Sequence, residues 1–472
     1  MNIRGIFYYL GLSCYPVTFL SFFNILYSSY FNYYLNLDTY ILTLFISFFF
    51  GLAFYFLSRK ADKEIKFYEQ LLLIFLIYIF VSILIAIPYI FSIYQLSFID
   101  SFFESVSGLT NTGFTVFNNI KYFDPTLILW RSSSQWIGGL FFLIFLTLIF
   151  SNFKNEYKLT HLVYNPDKAN NFAKDINPLI IKVFFLYTAV SALTFILLTF
   201  SGVRLFNGLN LAMSIVSLGG FLPTNEIKDI VKTNPQKIIF LFTLLFSTLN
   251  IYFLYSLFIN KNFLKKHYED LLVLGGILFF SFVLILSIKS SNLLDIFTSV
   301  ISSIGTSGLS FYSPPNNFNL FFVFLTMIGG SILSNSSGIK FLRFYILLKS
   351  TLIEIFKLVT PNIVIDQRII KTENKINIEN ITSSFLVFIS FFISLFILSS
   401  FLTAGELNFE KSFKLSILTL TNTVNSDLYG LKNLNFSNLL TTSKISLIIF
   451  MIIGKIELIS FFLILKKIFK NK

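Results

Sequence analysis

Residues 107–115 read SGLTNTGFT, between two long apolar runs, and a near copy, LTLTNTVNS, stands at 418–426. Small and hydroxyl-bearing residues inside apolar sequence are costly unless their polar groups find partners or water, so the recurrence needs a structural cause. Two further segments align with these without gaps. The four are SVSGLTNTGFTVF (105–117), AMSIVSLGGFLPT (212–224), VISSIGTSGLSFY (300–312) and SILTLTNTVNSDL (416–428). One column holds Gly113, Gly220, Gly308 and Val424, and the column before it holds Thr112, Gly219, Ser307 and Thr423.

Around these segments the chain is apolar: 55% of its 472 residues are hydrophobic, 64 are Phe, and only 12% are charged. A soluble domain cannot hide that much apolar surface. Runs such as 71–89, 238–258 and 272–288 have roughly the 20 residues that cross a bilayer core. The sequence therefore predicts an all-α polytopic membrane protein. The formal charge of +13 would suit nucleic acid in a soluble chain. Here the basic residues collect in connectors at 58–66, 260–267, 340–375 and 465–472, which the positive-inside rule places in the cytoplasm together with the N-terminus. Lys228, Lys232 and Lys237 depart from that pattern, in a connector expected outside. The expected surroundings are a lipid bilayer and no nucleic acid. The single cysteine, Cys14, excludes an internal disulfide and a thiolate metal cluster. His161 and His267 fall in basic connectors and read as solvated. The N-terminal apolar run reads as a retained helix, since it lacks a small-residue cleavage site.

Between basic connectors the chain follows one plan four times: apolar span, short polar segment, apolar span. Two N-terminal helices (about 5–30 and 39–57) precede the first copy. The expected units are 1–66 (helix pair), 67–175, 176–267, 268–375 and 376–472 (repeats 1 to 4). Each polar segment follows about ten residues that suit a short helix, such as 99–108 and 294–303. These are too short to span and too apolar for a free loop, which describes a re-entrant segment. Non-helical backbone at that depth must be buried in protein or line water. Four such loops around one axis can replace an ion's hydration shell with carbonyl oxygens, and glycine permits the backbone angles that aim them. Ser and Thr add hydroxyl oxygens, and the weak multi-site field suits a monovalent cation such as K+. The competing reading is that small residues only let helices pack closely.

These residues resemble the Trk/Ktr/HKT superfamily of potassium transporters, in its TrkH-like branch. FESVSGLTNTGFTV (103–116) is similar to that family's first pore loop, and LWRSSSQWIGGL (129–140) to the opening of the following helix. IGGSILSNSSGIKFLRF (328–344) resembles the break in the third repeat's second helix, and MIIGKIELIS (451–460) the last helix. The initial helix pair favours the TrkH-like over the shorter KtrB-like branch. The resemblance implies a pseudo-fourfold pore in each subunit, a homodimer, and a cytoplasmic RCK-type nucleotide-binding subunit that controls opening. By column it implies a filter of Thr110, Asn111, Thr112 and Gly113; Ser217, Leu218, Gly219 and Gly220; Gly305, Thr306, Ser307 and Gly308; and Thr421, Asn422, Thr423 and Val424. K+ would be the metal ion bound there, as cargo, with no cofactor in this chain. Val424 departs from the family, which usually has glycine in the fourth loop. A β-branched residue is strained at positive φ. Either that loop has an ordinary backbone, or the column is displaced and Asn425 takes the turn.

The second helix of the third repeat runs apolar to Met327 and then reads GGSILSNSSG (329–338). That composition suggests a broken helix and a mobile gate built from Gly329, Gly330, Ser331, Ser334, Asn335, Ser336, Ser337 and Gly338; an ordinary kink is the alternative. Lys455 lies in an apolar run with Glu457 two residues on. It reads as a cavity-facing barrier to cations, helped by the resemblance, against a lysine snorkelling to the membrane surface. Arg131, Gln135 and Trp136 read as structural, with Trp130 and Trp136 as interfacial anchors. Glu104 suits either a helix cap or an acid at the pore mouth. No catalytic constellation stands out, so the expectation is uptake of K+ across the cell (inner) membrane, driven by membrane potential. A Na+-permeable relative of the same fold is one alternative. A secondary transporter of an organic solute is another, although it would show two repeats with mid-span ionisable residues.

Overall fold

The computed structural model describes residues 2–59, 65–152, 172–253, 256, 267–288, 292–359, 376 and 378–456. His161, Glu457 and much of the basic connectors lie outside them. Two antiparallel helices come first, α1 (Ile3–Phe31) and α2 (Leu37–Leu57). Repeat 1 follows as α3 (Phe67–Phe91), α4 (Phe98–Leu109) and α5 (Pro125–Asn152). Repeat 2 is α6 (Phe172–Phe200), α7 (Leu205–Ser217) and α8 (Asn234–Thr248). Repeat 3 is α9 (Tyr268–Ser287), α10 (Leu293–Ile304), and a second helix in two pieces, α11 (Asn319–Ile328) and α12 (Phe341–Val359). Repeat 4 is α13 (Ile378–Ala404), α14 (Phe409–Leu420) and α15 (Thr441–Ile456).

Among the described residues, six helices, α1, α2, α3, α6, α9 and α13, contain apolar stretches long enough to cross a bilayer. Their outward faces carry exposed aromatic and aliphatic side chains such as Phe45, Phe49, Phe185, Phe279 and Phe396, the surface that lipid covers in an integral membrane protein. The helices α4, α7, α10 and α14 have only 12 or 13 residues, so each reaches roughly halfway through a 30 Å core at about 1.5 Å per residue. Acidic residues occupy the first turn of three of them, Asp100, Asp295 and Glu410, where they complement the helix dipole. Ser97 Oγ caps α4 by accepting from the Asp100 amide at 3.2 Å.

Packing closes the four repeats into a ring. Each short helix touches the first and second helices of its own repeat and the second helix of the repeat before it. Thus α7 packs on α6, α8 and α5; α10 on α9, α11 and α8; and α14 on α13, α15 and α11. The circuit closes because α4 packs on α3, α5 and the distant α15.

One span differs from expectation. The run 238–258 reads as one helix, but α8 stops at Thr248. The Asn250 amide donates to Asp270 Oδ1 (2.8 Å) and the Ile251 amide to the Leu333 carbonyl (3.1 Å), while the freed Thr248 carbonyl accepts from the Ser331 amide at 3.2 Å. Tertiary partners, not a glycine or proline, end the helix.

Candidate ion pathway

All four short helices end in the same way. In α4 the Asn111 amide donates to the Gly108 carbonyl (3.0 Å) and the Thr112 amide to the Ser107 carbonyl (2.9 Å). The equivalent pairs are Leu218 to Ile215 and Gly219 to Ser214; Thr306 to Ser303 and Ser307 to Ser302; and Asn422 to Thr419 and Thr423 to Leu418. This nested pair is a Schellman motif, which requires a left-handed residue just past the cap. Asn111 (φ 60°), Leu218 (56°), Thr306 (59°) and Asn422 (47°) supply it. Asn tolerates that region, whereas Leu218 and Thr306 each carry a cost of roughly 1–2 kcal/mol. Four independent helix ends thus share one backbone geometry, one column before the small residues that the alignment singles out.

Thr110, Ser217, Gly305 and Thr421 lie at the helix ends, and the residues that follow form the loops. Gly113, Gly220 and Gly308 adopt φ of 79°, 81° and 70°. Val424 and Asn425 both stay outside the left-handed region. Of the two readings of the valine, the fourth loop takes the ordinary backbone, and the column is in register because Asn422 matches its three counterparts.

Side chains tie neighbouring loops together. Asn111 Nδ2 donates to the Ser217 carbonyl at 2.9 Å, and Asn422 Nδ2 donates to Thr112 Oγ1 at 3.0 Å. Gln135 of α5 clasps the second loop, donating from Nε2 to the Gly219 carbonyl (2.6 Å) and accepting from the Phe221 amide (3.0 Å). Hydroxyl pairs stiffen single loops: Thr110 with Thr112, Ser302 with Ser307, and Thr421 with Thr423.

Several residues differ from their sequence reading. Glu104 is neither a cap nor an open acid. It is fully buried, paired at 2.8 Å with the equally buried Arg131, and accepts from Thr115 Oγ1 and the Val116 amide. The Arg131 guanidinium lies 4.1 Å from the centroid of the Phe221 ring and donates to Thr115, a structural role of the kind the sequence suggested. Trp130 is fully buried and donates to the Ile85 carbonyl, which removes it from the interface. Arg131→Met would leave Glu104 uncompensated and should cost about 3–5 kcal/mol, whereas the double variant with Glu104→Gln should recover much of that. Thermal unfolding in detergent checks this: the single variant should melt well below the double.

On the far side of the ring lies the break at 329–340. Gly329 (φ 74°) ends α11, and a Cβ there would lie 2.4 Å from the Ser337 carbonyl. The loop folds around Lys340, whose buried Nζ donates to the carbonyls of Ser331 (3.2 Å), Ser334 (3.3 Å) and Ser336 (2.5 Å). Gly330 accepts the Phe341 amide and donates to Ser336 Oγ, and Gly338 takes φ 86°. The loop is pinned to the ring from beneath. The Ser337 amide donates to Thr306 Oγ1 at 3.1 Å, and Asn335 Nδ2 donates to the Val216 carbonyl at 2.8 Å. Lys455, also buried, donates to the Asn335 carbonyl at 3.2 Å and lies 4.1 Å from the Phe142 ring centroid. It therefore does not snorkel. Ser331 and Ile332 are held by Asp270 and Glu269 of α9, two acids that the sequence reading passed over. His267 is buried against Phe253, with Nδ1 3.1 Å from Asp270 Oδ2; the reading of a solvated histidine is corrected.

On the opposite side the loops enclose a cavity of about 390 Å3 whose floor includes Gly113, Gly220, Gly308 and Val424. Lys432 bridges Glu226 (2.6 Å) and Asp427 (3.1 Å) across its rim, and the hydrogen bond to Glu226 raises the lysine's pKa. The cavity, the ring of loops and the break beneath it are stacked in that order, with no group of His, Cys, Asp and Glu among the described residues arranged to hold a resident metal.

Comparison with known proteins agrees with this arrangement. The family model described as "TrkH: Cation transport protein" matches residues 38–271. An uncharacterized cation transporter of Methanocaldococcus jannaschii is 28% identical, over 79% of this chain and 77% of its own. The Trk system potassium uptake proteins TrkH and TrkG of Escherichia coli are 26% and 24% identical, covering 88% and 90% of each chain. The crystal structure of the potassium transporter TrkH from Vibrio parahaemolyticus superposes with a TM-score of 0.83 at 20% identity, over 98% of this chain and 99% of that one. The chain thus matches the TrkH family model, is similar over most of its length to Trk-type potassium uptake proteins of the Trk/Ktr/HKT superfamily, and has the TrkH fold.

Proposed function

We propose that this chain takes up K+ across the cell (inner) membrane through the four-loop ring, with the vestibule facing outward. The observation that carries this reading is the fourfold repetition of one helix-end geometry. It brings the carboxyl ends of four short helices, with their partial negative charge, to one ring. There the columns Thr110–Gly113, 217–220, 305–308 and 421–424 would replace water around the ion with carbonyl and hydroxyl oxygens. Relatives named as potassium uptake proteins support K+ as the cargo. The loop from Gly329 to Gly338, with Lys340 and Lys455, acts as the gate beneath the filter. Assembly as a homodimer and control by an RCK-type nucleotide-binding subunit follow from the family resemblance.

The test is growth. A host lacking its own K+ uptake systems, expressing the full chain with and without an RCK-type nucleotide-binding subunit, should grow at limiting K+ where the empty vector does not. Absence of growth rescue with the chain present in the membrane would overturn the reading. Rescue accompanied by equal K+ and Na+ influx would favour the Na+-permeable alternative, for which Val424 is the motivating residue.

A further inference from the structure

Val424 carries a side chain where its three counterparts carry none, and that side chain occupies a telling place. A Cβ built on Gly220, in the loop opposite, would lie 2.8 Å from Val424 Cβ. One built on Gly113 would lie 3.0 Å from Val424 Cβ and Cγ2, and one on Gly308 would lie 2.6 Å from Cγ1. The three directions converge on a single isopropyl group. Each also points at a carbonyl of the next loop round: Gly219 at 2.5 Å, Ser307 at 3.0 Å and Val424 itself at 2.7 Å. A group within contact of all three other members of a four-membered ring, the opposite one included, sits on the ring's axis. Val424 is half-buried beside three buried glycines, on the floor of the vestibule.

We propose that Val424 is an apolar plug at the vestibule end of the ion path, and that it sets the rate at which alkali cations enter the filter. This rests on the ring being that path. The isopropyl group offers no lone pair, so an arriving ion loses water there without replacement until the side chain moves aside. Narrow hydrophobic constrictions gate by this kind of dewetting. A β-branched side chain has few rotamers in which to yield. The valine's effect therefore comes from its side chain in the lumen and not from backbone strain, which its φ does not show.

The experiment is rubidium uptake by the full chain in cells deficient in K+ uptake, at matched membrane levels, for Val424→Gly, Val424→Ala, wild type and Val424→Ile. The plug predicts rates falling in that order, with roughly tenfold or more between the extremes. Equal rates in all four would overturn the plug and leave the proposed function standing. So would a wild type faster than both smaller and larger variants, since that pattern marks a side chain that supports the loop. Uptake by none of the four would remove the proposed function and the plug with it.

Discussion

Gly220→Asp should abolish cation uptake while the protein still reaches the membrane. The residue sits at φ 81°, where an L side chain is strained, at a cost of roughly 1–3 kcal/mol. Its Cβ would meet Val424 Cβ at 2.8 Å and the Ser307 carbonyl at 3.0 Å. A carboxylate at this level also places a fixed charge in the ring of loops. Gly113→Asp should behave in the same way, since its Cβ would lie 2.5 Å from the Gly219 carbonyl. Insertion depends on the long outer helices, which neither change touches. Rubidium uptake, normalised to the amount of protein in the membrane fraction, checks both. Normal uptake by both variants would show that the four loops do not form the filter.

The second large effect is in the opposite direction. Lys340→Met should raise basal flux and weaken control by a nucleotide-binding partner, because it takes from the Ser334 and Ser336 carbonyls the donor they share, while the Ser331 carbonyl keeps the Ser334 amide and hydroxyl. Each buried acceptor left unpaired costs about 1–3 kcal/mol, enough in sum to unfold a loop that is held open to water on neither side. Lys455→Ala removes the hydrogen bond to Asn335 from the other flank and should raise flux by less, and shortening the segment from Gly329 to Gly338 should raise it too. Unchanged flux in all three variants would make the break an ordinary packing feature. Methionine matches the length of the lysine stem, so a loss of protein from the membrane would be separable from a change in gating by measuring both.

Much of this was legible in the sequence because the repeat places like residues in like positions. The lengths and starts of α4 and α10 follow from the roughly ten residues suited to a short helix before each polar segment, and the break after Ile328 follows from Gly329–Gly330. The turn itself was hidden. Its left-handed position holds Asn, Leu, Thr and Asn, four residues with no shared preference, so only the glycines two places on betrayed the column. Val424 looked like a backbone anomaly; in three dimensions it is a side-chain feature, because its φ is ordinary and its isopropyl group faces its three counterparts. What stayed illegible depends on partners distant in sequence. Glu104 and Arg131 are 27 residues apart on different helices. Asp270 ends α8 by holding Asn250 and also fixes Ser331. His267 lies among basic residues yet packs inward onto Asp270. No local pattern reports such contacts.

The most direct measurement of the central claim is counterflow in proteoliposomes containing the full chain. Vesicles loaded with K+ or with Na+ are diluted into salt-free medium containing a trace of radioactive rubidium. If the ring selects K+, outflow from the K+-loaded vesicles makes their interior negative and draws rubidium in, and the Na+-loaded vesicles stay empty of it. Equal accumulation in both, or none in either, would contradict a K+-selective path through this chain.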